Sequence, residues 1–135
     1  MESRSIPFGL AAAVAALLIA KIIKILLTSI FGDPFSGPYL NITLEAIYSL
    51  PWLAGGFAVG YLSNKKPLRN GAITGAAYGA IYCLIGLAMI ATQTHGLQHR
   101  LPQLNFAAVA VVKFSFLFTL SAALGYTTKA TYKAV

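Results

Sequence analysis

The chain has 135 residues, of which 58% are hydrophobic and 10% charged, with a mean hydropathy of +0.74. Soluble domains carry roughly 45–50% apolar and about 25% charged residues, so a single water-soluble domain of this length would lack the polar surface it needs and the bilayer is the expected solvent. The formal charge of +7, from ten Lys and Arg against three acids, marks loops held against anionic lipid on the cytoplasmic side, and the scatter of the basic residues between apolar stretches argues against a nucleic-acid partner.

A hydrocarbon core about 30 Å thick is crossed by roughly 20 helical residues, and four apolar runs of that order occur. The first extends from Ile6 to Phe31. Arg4 ahead of an apolar stretch resembles a secretory signal. However, no small-x-small cleavage site leads into polar sequence, and the run continues past Lys21 and Lys24 into Ile25-Leu26-Leu27, so it reads as an uncleaved span. Lys21 and Lys24 fall in its outer half, one turn apart and on one face. Each can lift its ammonium to the interface along a flexible stem, or pair with Glu45 or Tyr48 at matching depth on the next span. The following loop, Gly32-Asp33-Pro34 with Gly37-Pro38, reverses the chain. Its Phe35, Tyr39 and Leu40 place it along the interface.

The second run, Leu44 to Leu62, opens at Glu45 and carries Gly56 and Gly60, and the turn Asn64-Lys65-Lys66-Pro67 ends it. The third run, Gly71 to Ala91, has Gly71, Gly75 and Gly79 at successive turns, with Gly86 beyond. Rows of glycine let a second helix approach closely enough for dispersion contacts and Cα–H···O bonds. Antiparallel geometry across a turn at Ser63 to Asn70 sets Gly60 level with Gly71 and Gly56 level with Gly75, so the two rows are expected to face each other. A loop from Thr92 to Asn105, with Gly96 and Pro102, leads to the fourth run, Phe106 to Tyr126. Lys113 lies seven residues into it, about 10 Å along the helix axis. A lysine at such depth costs about 2.5–3.5 kcal/mol on insertion scales, and Tyr82, midway along the third run, is the polar group at hand to accept its hydrogen bond.

Basic residues in short loops set orientation. With the amino terminus inside, the inner segments hold Arg4, then Lys65, Lys66 and Arg69, then Lys129 and Lys133, and the outer loops hold Arg100 alone. The expected architecture is an all-α integral membrane four-helix bundle, a single transmembrane domain over residues 1–135 of the cell membrane (the inner membrane in a bacterium), with amino and carboxyl termini cytoplasmic.

The stretch Gly55-Gly56-Phe57-Ala58-Val59-Gly60-Tyr61-Leu62, followed by Gly71-Ala72 and Gly75, is similar to the central hairpin of small four-helix membrane proteins of unknown function in bacteria and archaea. The resemblance covers about residues 50 to 90, implies a four-span bundle and brings no activity with it.

Signals for chemistry are sparse. His95 and His99 have a four-residue spacing, but Gly96 intervenes and no nearby Cys, Asp or Glu completes a metal-ligand set. Asn41-Ile42-Thr43 fits the glycosylation acceptor pattern yet abuts the membrane. Cys83, the single cysteine, has no internal disulfide partner. Glu2, Asp33 and Glu45 are the complete acidic set, too few for a carboxylate pair, and no phosphate-binding loop, zinc-protease helix or nucleophile elbow occurs. The expectation is a non-enzymatic accessory or assembly protein without cofactors. It would bind anionic lipid on its cytoplasmic side and pack against another membrane protein or a second copy of itself. The alternatives are a small oligomeric anion transporter or channel subunit and a membrane immunity protein against a pore-forming toxin.

Overall fold

In lipid each backbone N–H and C=O must find its partner within the protein, and a long apolar run with few turn-forming residues does so as a helix. The computed structural model describes residues 4–32, 40–91 and 101–134. Over these residues the fold is all-α, with α1 (Ser5–Phe31), α2 (Leu40–Leu62), α3 (Pro67–Ala91) and α4 (Leu101–Ala134). The loop around Asp33, the segment with His95, His99 and Arg100, and Glu2 lie outside the described residues.

Three stretches, Ser5–Ile30, Pro67–Ala88 and Ala108–Tyr132, are long and apolar enough to cross a membrane. In α2, whose fully described part runs over residues 45–62, Glu45, Ser49 and Pro51 interrupt the apolar run, and no crossing stretch is found among those residues. Proline at the first helical position suits a helix start, so α3 begins at Pro67, a turn earlier than the apolar run. The α2 start at Leu40 places Asn41-Ile42-Thr43 in a first helical turn, without the loop context a glycosylation acceptor needs. At the far end, α4 continues past Tyr126 through Thr127, Thr128 and Lys129, because its last turns pack back on the α2–α3 corner.

The helices are arranged so that α4 lies against both α2 and α3, α1 lies mainly against α2, and the direct α2–α3 contact is slight. This corrects the expectation that the two glycine rows meet. Gly60 and Gly71 do share a depth, but Ala122 of α4 stands between them: a Cβ on Gly60 would strike the Ala122 backbone, and one on Gly71 would come within 2.7 Å of the Ala122 Cβ. Likewise Gly56 faces Phe118 and Ser121, Gly75 faces Phe114 and Ser115, and Gly79 faces Val111. Phe118, too wide for a helix–helix seam elsewhere, fits because Gly55 leaves room for its ring edge. Glycine on α4 answers in turn, since a Cβ on Gly125 would meet the Phe57 carbonyl.

At mid-bundle the core is Ala13, Tyr78 and Phe118, with Leu10, Trp52 and Phe114 against it. Tyr78 meets Phe114 edge-on at 5.0 Å, which places a ring edge on a ring face, and packs tilted against Phe118 at 5.4 Å. A second cluster, Ala20 and Ile47 with Ile23, Leu27 and Leu50, closes the other end of the α1–α2 seam. The fully buried Pro51 removes a donor from the middle of α2. Two residues on, the Ser121 hydroxyl of α4 donates to the Leu53 carbonyl at 2.8 Å. Outside, large apolar side chains are bare along α1 (Leu18, Ile22, Ile25), α3 (Leu84, Ile85) and α4 (Val112, Phe116, Leu124). An apolar surface this continuous is foreign to a soluble monomer and is consistent with a membrane protein.

Candidate functional site

Polar side chains gather at three places. At one end of the bundle the start of α1, the α2–α3 turn and the last turns of α4 come together. Asn70 donates through its amide to the Ser63 hydroxyl at 3.0 Å and to the Ser5 hydroxyl at 3.3 Å, and Ser63 donates to Ser5 at 3.3 Å. Ser5, Ser63 and Asn70 are all buried. One turn after Asn70 in α3, Thr74 donates its hydroxyl proton to the Asn70 carbonyl at 2.8 Å. Lys129 closes the corner from α4, with its ammonium 2.7 Å from the Asn64 side-chain oxygen and 3.2 Å from the Ser63 carbonyl. The donors and acceptors are spent on one another, as burial requires, so this cluster ties three helices and a turn together. The sequence gives little sign of it: Ser63, Asn64 and Asn70 read as turn residues, Ser5 as a flank and Lys129 as a topological charge. The usable signal is that an asparagine sits one residue before a span, with serines at the adjoining ends of the two others.

The second place is the opposite end of the α1–α2 seam. Here Lys21, Lys24, Ile25, Thr28 and Ser29 of α1 and Tyr48 of α2 line an open groove of about 570 Å³. Lys24 is half-buried and Lys21 exposed. Thr28 spends its proton on the Lys24 carbonyl at 2.9 Å. The expected neighbours Lys21, Lys24 and Tyr48 are thus brought together. Glu45 is exposed one turn before Tyr48 and does not line the groove.

The third place is Lys113. It is exposed on α4 beside the bare Val109, Val112 and Phe116 and has no partner among the described residues. Tyr82 does not serve it: the Tyr82 ring packs edge-on against Phe114 at 5.6 Å instead of offering its oxygen to the lysine. Successive residues of a helix point about 100° apart, so Phe114 turns into the bundle while Lys113 turns out. Among the described residues no group of three His, Cys, Asp or Glu side chains could hold a metal ion.

No protein-family model matches the chain, and neither the curated proteins nor the solved structures yield a match.

Proposed function

We propose that this protein is a membrane accessory or assembly factor that docks through the Lys113 face of α4 onto an acidic group of a partner membrane protein. The observation behind this reading is an exposed lysine inside Ala108–Tyr132, a stretch apolar enough to cross a membrane, without a counter-charge from the described chain. A cation in that position is costly facing lipid tails, and a carboxylate on a neighbouring helix removes much of the cost. Lys113 lies between Val109, Val112 and Phe116, an apolar surround that excludes water from such a pair and strengthens it.

The filled interior favours docking over conduction within one chain, because Ala13, Tyr78 and Phe118 close the middle of the bundle with rings and methyl groups. Both termini are placed on the cytoplasmic side of the cell membrane in this reading.

The test is copurification in mild detergent from the native source. Substituting Lys113→Leu should cut recovery of the partner at least tenfold while leaving elution volume and helicity unchanged. A Lys113→Arg variant should retain most of it. Undiminished recovery with the leucine variant would sink the proposal.

A further inference from the structure

Two lysines on one helical face, one turn apart, repel each other, and the repulsion grows where lipid lowers the local dielectric. Lys21 and Lys24 are so placed, and the groove they share adds the hydroxyl of Ser29 and the phenol of Tyr48. Lys21 has no partner among the described residues. Among the described residues no carboxylate lines the groove, and Glu45, the acid on α2, stands outside it. The described lining is therefore rich in donors around the exposed Lys21.

Its depth identifies the ligand. The Ser5 cluster marks one end of the bundle, and Lys21 and Lys24 are 16 and 19 residues further along α1, about 24 and 28 Å at 1.5 Å per residue. With a hydrocarbon core about 30 Å thick, both ammonium groups reach the headgroup layer of the opposite leaflet, where phospholipid phosphates lie. The groove opens sideways, with Ile25 in its wall. Toward the membrane centre the same face of α1 continues through Leu18 and Val14, three and seven residues before Lys21 and both exposed. A headgroup above and an acyl chain below match this succession. A volume of about 570 Å³ is within the range of roughly 300–1,000 Å³ typical of small-molecule sites.

We propose that the Lys21–Lys24–Ser29–Tyr48 groove binds the phosphate of an anionic phospholipid in the leaflet opposite the Ser5–Asn70 end. The Lys21 ammonium pairs with the phosphate, Lys24 adds positive charge beside it, Ser29 and Tyr48 donate to its oxygens, and Leu18 and Val14 flank the first carbons of the tail. Thr28 is a weaker donor, since its proton is engaged by the Lys24 carbonyl. This site is independent of any protein partner at Lys113.

The experiment uses the full chain, delipidated in a neutral detergent. Bound lipid is counted by native mass spectrometry during titration with phosphatidylglycerol, phosphatidylcholine or inorganic phosphate. Phosphatidylglycerol should bind at least tenfold more tightly than phosphatidylcholine, and millimolar inorganic phosphate should not displace it. A Lys21→Gln/Lys24→Gln variant should lose that preference, Lys21→Arg/Lys24→Arg should keep it, and Lys113→Gln should leave it intact. Equal binding of the two lipids, or undiminished preference in the glutamine variant, overturns the proposal. Displacement by inorganic phosphate overturns the lipid as ligand. The comparison of lipids on the unmodified chain decides the matter even if the glutamine variant fails to fold.

Discussion

At Gly60 an added methyl carbon would run into the backbone of Ala122, and at Gly75 into the carbonyl of Phe114, whereas at Gly86 it would meet nothing within 4 Å. Backbone cannot step aside as a side chain tip can, so overpacking of about 1–3 kcal/mol is expected at the first two positions. At Gly86 the only change is relief of glycine's conformational entropy, a gain of up to about 1 kcal/mol. Unfolding of each alanine variant by SDS titration in mixed micelles, followed by the emission of the single tryptophan Trp52 beside the core cluster, should rank Gly86→Ala at or above the parent and Gly60→Ala and Gly75→Ala below it. If Gly60→Ala were as stable as Gly86→Ala, the close α2–α4 approach would be refuted. The repeat of Gly71, Gly75 and Gly79 was legible in the sequence as a surface for a helix, but Gly86 at the end of the same pattern was not distinguishable from it. Spacing tells which residues share a face; it does not tell where the neighbouring helix ends its contact.

Between elements, the identity of the partner helix is what the sequence could not supply. A turn as short as Ser63 to Lys66 makes α2 and α3 sequential neighbours, and equal depth of Gly60 and Gly71 follows from the turn alone. That α4 inserts between them depends on its own small-residue side, Ala110, Ala122 and Gly125, dispersed among large residues and therefore weak as a pattern. The same holds for α1, where Gly9, Ala13, Ala16 and Ala20 recur along the buried face within a run that reads as uniformly apolar. Helix existence was legible because length and hydropathy determine it, and the lysines of the groove were legible because charge in an apolar run stands out. The Ser5–Ser63–Asn70 cluster was not, because its residues belong to three segments far apart in sequence. Its role yields a prediction for the joint of α1, α2 and α3. Asn70→Leu deprives Ser5 and Ser63 of a shared donor and should cost about 1–2 kcal/mol, between the small hydrogen-bond increments typical of membrane interiors and the penalty for buried unpaired groups. Ser63→Ala, which leaves Asn70 still bonded to Ser5, should cost less in the same SDS titration; the reverse order would show that the asparagine is not the hub.

For the whole molecule the decisive quantity is which end faces the cytoplasm. The hydrogen bonds from Asn70 to Ser5 and from Lys129 to Asn64 bring the start of α1, the α2–α3 turn and the later part of α4 to one end. Arg4, Lys65, Lys66, Arg69 and Lys129 therefore collect there as a consequence of packing as well as of sequence order. Translocating that end would carry several cations against the membrane potential, at about 2.3 kcal/mol per charge per 100 mV, so the basic end is expected to stay inside. Alkaline phosphatase fused after Val135 should then be inactive and a green fluorescent protein at the same site bright. Phosphatase inserted near Gly96, between α3 and α4, should be active. Reversing Lys65, Lys66 and Arg69 to glutamate removes half of the inner basic residues and should produce a mixed population in which both fusions give signal. Activity of the phosphatase at Val135 in the unmodified chain would contradict the orientation, and it would also move the Lys21–Lys24 groove to the cytoplasmic leaflet, where its lipid would have to be sought.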